Sequence, residues 1–281
     1  MAKIPDPVFA STEIGKVIEA IPTVEEHFGL IGAGKKPPAV LDCVAMAEPL
    51  PEIPYLVREL GMVGGGGAPD LFAGDGYSGK TIALQAALLA MAAEQPIWDA
   101  WTAPRSLRVV HVDLEQGKRL TTRRYQRLAA GMGIDLRGYG DRLILSSEAG
   151  MTAFKDPDQW LELMDGRNIM VVDSLRALNL GIDENDSRMR ESLDWLGAMS
   201  GKTGCRVAVV HHARKQSVEN SEARYSIRGS GAIYDGVDGA WVFSALKNEP
   251  VKVEHVKARS HGDLIEDFSL VISDVPLFDP D

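Results

Sequence analysis

Cysteine is scarce in this chain of 281 residues: there are 2, Cys43 and Cys205, without the spacing of a metal cluster. That excludes a disulfide-stapled secreted scaffold and gives a reduced, cytoplasmic protein as the expectation. Cys205 stands just before an apolar strand-like run and is expected to be a buried thiol. Long hydrophobic runs are missing too. No stretch approaches the roughly 18 apolar residues of a membrane span, and Met1–Lys16 lacks the apolar centre of a signal peptide, so no membrane partner is expected. Positive charge is short: Lys+Arg 30 against Asp+Glu 40 gives a formal net charge of -10. That argues against a protein coated non-specifically by nucleic acid, although a local basic channel is compatible with it. Internal repeats and low-complexity tracts are also absent. What is present, 45% hydrophobic residues at a mean hydropathy of -0.08, describes a globular chain long enough for a full core.

The rest of the chain is organised around Leu71–Thr81. Gly74, Gly79, Lys80 and Thr81 complete the pattern G-x-x-x-x-G-K-[ST]. The apolar run Leu71–Ala73 leads in and a helical run, Ile82–Ala93, leads out, which is the context a phosphate-binding loop requires. Its glycines let successive N–H groups of Asp75, Gly76, Tyr77 and Ser78 face phosphate oxygens. The helix beginning near Gly79 offers its positive end to the same anion, with Ile82 in its first turn. Lys80 is expected to reach the β- and γ-phosphates of ATP, and the Thr81 hydroxyl to bind Mg²⁺.

Upstream, residues 11–29 suggest a short amphipathic helix. Ser11 is a candidate N-cap, Ile14, Val17, Ile18 and Ile21 have helical spacing, and Pro22 ends or bends it. Residues 32–38 look like a linker. The expected organisation is therefore an arm and linker over 1–38, packed on a neighbouring subunit or on its own core, and one main domain over 39–281. Residues 39–60 are mixed and proline-punctuated, and Gly64–Gly67 reads as a flexible turn. Trp98 and Trp101 read as packing.

Downstream, strands and helices alternate. Arg108–Glu115 reads as a strand ending in acids, and Glu115 stands where open α/β sheets place ligands. It is a candidate base or water-positioning group, or else a carboxylate capping the next helix. That helix, Lys118–Met132, has Arg119, Arg123 and Arg127 on one face, either a solvated surface or a contact for nucleic acid or an acidic neighbour. Within Asn168–Ser174, four apolar residues lead to Asp173, a candidate Mg²⁺ ligand. Residues 175–186 read as a loop, Met189–Met199 as a helix and Gly201–Gly204 as a turn. Arg206–Val210 reads as a strand ending in His211 and His212. Neighbouring strand residues face opposite sides, which disfavours a shared metal. Residues 213–230 form a long polar segment with Arg214, Lys215, Arg224 and Arg228, and also Glu219 and Glu222. Ala240–Ser244 and Val251–Val256 read as a hairpin, followed by Lys257 and Arg259, with Phe268–Ile272 a last strand.

With these pieces in order, the chain resembles the RecA-like AAA-25 family, particularly the plasmid RepA-type hexameric replicative helicases. The resemblance rests on Gly74–Thr81, His111–Gln116, Met170–Asp186, Val209–Lys215, Arg228–Trp241 and Val256–Asp263, and covers roughly residues 50–272. It implies a RecA-like P-loop NTPase core, a mostly parallel twisted sheet flanked by helices, with antiparallel strands near the C-terminus. It implies Glu115 as the catalytic glutamate, Asp173 as the Walker B acid, and His212, or His211 in a shifted register, as a γ-phosphate sensor. Lys257 and Arg259 resemble a pair inserted into the neighbouring subunit's ATP site. Arg214, Lys215, Arg224 and Arg228 resemble channel contacts to single-stranded DNA. The implied activity is an Mg²⁺-ATP-driven helicase forming a hexameric ring, with primase or another replication protein as partner. The alternatives are a RecA-like regulatory or loader ATPase acting on a protein, and a filament-forming recombinase.

Overall fold

The computed structural model describes residues 42–49, 52–147, 151, 154–183, 186–212, 227, 231–245, 249–260 and 262–274. The arm over 1–38 and the cations Arg214, Lys215, Arg224 and Arg228 lie outside the described residues. The chain divides into two units, Met1–Pro49 and Leu50–Asp281. Of the first, the described part is helix α1 (Cys43–Ala47), where the Asp42 side chain accepts from the Val44 N–H.

The second unit opens with a two-stranded antiparallel hairpin, β1 (Tyr55–Val57) and β2 (Met62–Val63). Then come β3 (Asp70–Gly74), α2 (Lys80–Ala93), β4 (Val109–Asp113), α3 (Lys118–Gly131), β5 (Leu143–Ser146), α4 (Pro157–Met164), β6 (Ile169–Asp173), α5 (Leu175–Leu178), α6 (Met189–Thr203) and β7 (Arg206–His212). The short helix α7 (Gly231–Asp235) and strands β8 (Gly239–Ser244), β9 (Val251–Ala258) and β10 (Phe268–Leu270) complete it. The main sheet has 8 strands in the order β10-β9-β8-β3-β7-β6-β4-β5. From β8 to β5 every pairing is parallel, and β9 and β10 are added antiparallel. This is the RecA-like arrangement that the sequence resemblance implies.

Parallel strands covered by helices on both faces must be apolar on both, and these are. Phe72, Val109, Ile169, Val171, Ala208, Val210, Trp241 and Phe243 join one large core cluster with Leu84, Leu88 and Met91 of α2. The alternate residues Leu71, Val110, Val112, Met170, Val172, Val207 and Val209 are equally buried on the other face. Phe72, Trp241 and His255 make a continuous ring stack across β3, β8 and β9, with centroids 4.9 and 4.4 Å apart. Trp98 and Trp101 pack with Phe268, as packing residues should. Cys205 is buried and Cys43 exposed.

Several boundaries differ from the sequence expectation for identifiable reasons. The strand expected to reach Glu115 stops at Asp113. The Asp113 carboxylate accepts the backbone N–H groups of Glu115 (3.0 Å) and Gln116 (2.9 Å), curling the chain out of the sheet. The expected loop at 175–186 opens with helix α5, because the Ser174 hydroxyl caps the Ala177 N–H and Leu175 and Leu178 are buried. Helix α6 runs through the expected Gly201–Gly204 turn to Thr203, and Gly204 (φ 71°) supplies the left-handed C-cap. Lys257 lies inside β9, paired with Ala240, rather than beyond the strand. The turn at Gly64–Gly67 is tightly packed: a Cβ on Gly67 would lie 2.9 Å from Asp238 Oδ2.

Candidate active site

The register aligns the carboxyl ends of four strands. Gly74 of β3 is level with His212 of β7, and Asp113 of β4 is level with Asp173 of β6. Open α/β sheets bind ligands at this edge, and every described residue expected to act in cis converges there.

The phosphate loop runs from Gly74 to Gly79. Tyr77 (φ 67°) and Gly79 (φ 79°) are both left-handed, and the Ser78 N–H between them donates to the Asp75 carbonyl at 3.2 Å, which curls the loop. A side chain at Gly79 would also meet Ile272 at 2.5 Å. Helix α2 begins without a side-chain cap. Its first N–H groups are therefore free for an anion, and the helix positive end faces the loop. Lys80 folds back over the loop, its Nζ 3.2 Å from the Asp75 carbonyl oxygen. Burial lowers the Lys80 pKa, opposed by Asp173, Glu115 and Asp75. Tyr77 is fully exposed while Ser78 is buried. This uncapped cradle, with a cation already turned into it, fits a polyphosphate.

Thr81 and Asp173 meet across the base of the site: the Thr81 hydroxyl donates to Asp173 Oδ2 at 2.9 Å. Burial pushes the Asp173 carboxyl up to about 6, against the stabilising hydrogen bond from Thr81. A carboxylate and a hydroxyl are the hard oxygen donors Mg²⁺ prefers. Among the described residues no group of three or more His, Cys, Asp and Glu could hold a metal unaided, so the remaining positions would fall to phosphate and water.

Glu115 stands beside this pair. Its Oε1 accepts a hydrogen bond from the Ser174 hydroxyl and lies 3.7 Å from His212 Nε2. The nearby imidazole, the Ser174 hydroxyl and the Lys80 charge hold its carboxyl below the usual carboxylate range despite partial burial. His211, by contrast, is fully buried on the opposite face, so of the two histidines His212 is the one at the site. Sequence reasoning missed Ser174 and Asp113. Asp113 accepts from the Thr121 hydroxyl as well as from the loop N–H groups, so it fastens the Glu115 turn to α3. The Asp-x-Glu-Gln spacing after a strand is a legible signal for such a turn. Nothing in the sequence points to Ser174, whose contact with Glu115 joins different strands.

Lys257 and Arg259 lie elsewhere. Lys257 is level with Ala240, itself level with Leu71 near the start of β3. Strand rise and spacing put its backbone roughly 14 Å from Gly74, two strands away and three residues back along the sheet. Its Nζ donates to the Tyr234 carbonyl and sits 4.6 Å from the Tyr234 ring centre. Arg259 donates to the Asp235 carbonyl at 3.0 Å. On the α3 face, Arg127 pairs with Asp274 at 2.8 Å and Arg124 donates to Gln116.

A glycine loop between a buried parallel strand and an uncapped helix, with a strand-end acid one strand removed, defines a P-loop NTPase of RecA-like fold. The chain belongs to the AAA_25 family, described as an AAA domain, which matches residues 37–218. A solved structure described as a DnaB-like replicative helicase and its interactions with primase resembles it at a TM-score of 0.51 and 16% identity. The match covers 73% of this chain and 55% of that one, so the chain spans little more than half of its neighbour's length. No curated protein matches the sequence. No described helix is long and apolar enough to cross a membrane.

Proposed function

We propose that this RecA-fold NTPase is an Mg²⁺-dependent ATPase that works as a ring, a hexamer of this chain, and moves along single-stranded DNA as a replicative helicase. The observation that carries the reading is the split between two half-sites. Gly74–Ile82, Asp173, Glu115 and His212 gather at one edge, while Lys257 and Arg259 stand beyond the reach of their own phosphate loop. Cations so placed suit another copy's nucleotide, and in this reading hydrolysis depends on assembly.

Within one copy, the loop N–H groups and Lys80 bind the phosphates. Thr81 and Asp173 would hold Mg²⁺, which supplies charge neutralisation at the β- and γ-oxygens. A carboxylate held below its usual range is ionised throughout the neutral region. Glu115 therefore suits orienting and polarising the attacking water, with Ser174 and His212 fixing its rotamer. His212 also suits sensing the γ-phosphate. In this reading residues 1–38 are an arm for subunit contact, 39–281 the motor domain, and Arg214, Lys215, Arg224 and Arg228 the DNA contacts. Primase or another replication protein is the partner, and the cytoplasm the compartment.

Arg259→Ala is expected to lower kcat by about a thousandfold, the scale of an arginine finger, while nucleotide affinity changes little. Steady-state turnover and fluorescent-nucleotide titration measure the two quantities, and equal loss of both would sink the finger role.

The net charge of -10 favours a second reading, a regulatory or loader ATPase acting on a protein partner. ATPase assays with and without single-stranded DNA, on protein sized by light scattering, separate the two. Stimulation of a ring-sized species supports the motor. Turnover indifferent to DNA supports the partner-directed ATPase.

A further inference from the structure

Arg259 follows the last residue of β9, so no strand ladder fixes it. Its side chain is 53% exposed. Such an arginine should be spread over many rotamers, yet it is held at several points. Its backbone N–H donates to the Asp238 carbonyl at 2.8 Å, and its Nη1 lies 3.7 Å from Asp238 Oδ1. The other oxygen of the same carboxylate, Oδ2, lies 3.5 Å from Nη1 of Arg206. Arg206 in turn grips Asp70 through both Nε (2.9 Å) and Nη2, with both side chains buried. The Asp238 N–H donates to the Pro69 carbonyl at 3.0 Å, one residue before Asp70. Asp238 is thus a bridge, with an exposed guanidinium on one side and a buried ion pair at the foot of the phosphate-loop strand on the other.

The charges favour the bridge. Lys257 and Arg259 are like charges close enough that Arg259, after burial, helps lower the Lys257 pKa. Carbonyl oxygens of Tyr234 and Asp235 accept one hydrogen bond from each but carry no full charge. Among the described residues Asp238 is the carboxylate that forms an ion pair with Arg259. An asparagine there would keep the shape and the backbone bonds and remove that charge.

We propose that Asp238 is the positioning residue for Arg259, seating the finger on the buried Arg206–Asp70 pair so that it points at a neighbouring copy's nucleotide. This rests on the trans role of Arg259 proposed above. Asp238 touches no reacting atom and acts through Arg259.

The test is complementation between subunits. Asp238→Asn is expected to lower kcat by on the order of tenfold to a hundredfold, the scale of a misplaced catalytic group. KM, nucleotide affinity and ring size should stay near wild type. Subunits carrying Lys80→Ala cannot turn over ATP but keep an intact Asp238 and Arg259. Mixed rings of the two variants should regain activity, because the Lys80→Ala subunit presents a well-seated finger to the Asp238→Asn subunit's site. Gly67→Ala provides a second route. Its Cβ would lie 2.9 Å from Asp238 Oδ2 and 3.0 Å from Arg206 Nη1, displacing the bridge while every charge stays. It should show the same kcat loss and the same rescue, and it carries the test if Asp238→Asn does not fold.

Wild-type kcat in both variants overturns the proposal, and so does a kcat loss that Lys80→Ala subunits cannot restore. Mixing Arg259→Ala with Lys80→Ala is the separate control for the trans reading. Failure of that rescue removes the ring mechanism itself. Its success together with failure for Asp238→Asn removes only the positioning role.

Discussion

Glu115→Gln is expected to lower turnover by a factor of about 10² to 10⁴, the usual contribution of a positioned acid–base group, while leaving ATP affinity within about threefold of wild type. The amide keeps the size of the carboxylate and still offers an oxygen to the Ser174 hydroxyl, so the rotamer survives. What it loses is the negative charge that the imidazole of His212 and the ammonium of Lys80 maintain. A residue that merely capped the next helix would affect stability instead, and helix α3 does not use it: the turn is closed by Asp113. Single-turnover ATPase assays and equilibrium nucleotide binding decide the matter. If Glu115→Gln retained more than a tenth of wild-type turnover, the water-positioning role would be wrong.

The second large effect concerns Asp173 and has a definite sign with pH. Its carboxyl is pushed up from its ordinary 3.8 to about 6, chiefly by burial. A raised folded-state pKa means that the ligand-free fold binds this proton more tightly than the unfolded chain does. The associated stability is therefore fully present below about pH 4 and is lost as pH rises through about 6. Asp173→Asn escapes that loss. The ligand-free variant is expected to be more stable than wild type at pH 7 by about 1–3 kcal/mol, the upper figure being a two-unit shift at ~1.4 kcal/mol per unit. The gain should fall to about half by pH 5 and nearly vanish by pH 4. The same substitution removes a hard anionic oxygen, so Mg²⁺-dependent ATPase activity should drop by at least two orders of magnitude, on the order expected for a lost charge at a metal site. In wild type, Mg²⁺ and the proton compete for Asp173, and metal affinity should weaken about tenfold per unit below pH 6. Thermal unfolding at pH 4, 5 and 7, with and without Mg²⁺-ATP, reads all of this. Identical melting of the two proteins at every pH would show that the buried charge is not what strains this site.

These two residues also mark how much could be read before the fold was known. Gly74, Gly79, Lys80 and Thr81 were legible because a phosphate loop is local: one short stretch, between an apolar run and a helical run, contains its whole geometry. Asp173 was legible as the end of a both-face-buried strand. The convergence of Asp173, Glu115 and His212 was not, since it depends on β4, β6 and β7 lying side by side in register although chain order separates them. Element ends were misread wherever a side chain captured a backbone group. Asp113 stopped its strand early, and Ser174 turned an expected loop into helix α5. Propensity along the chain does not see such contacts.

The amino-acid sequence by itself determined the class of chemistry, because Gly, Lys, Thr and strand-end acids at fixed spacing have few other uses together. Tertiary structure alone decided which histidine faces Glu115, since one step along a strand reverses a side chain's direction. It alone separated Lys257 and Arg259 from their own phosphate loop, because strand order and direction, not distance along the chain, set which groups meet. And it alone joined Arg259 through Asp238 to Asp70. That contact runs from just past β9 through the turn before β8 and Arg206 at the start of β7 to the start of β3, and only a folded sheet brings those four together.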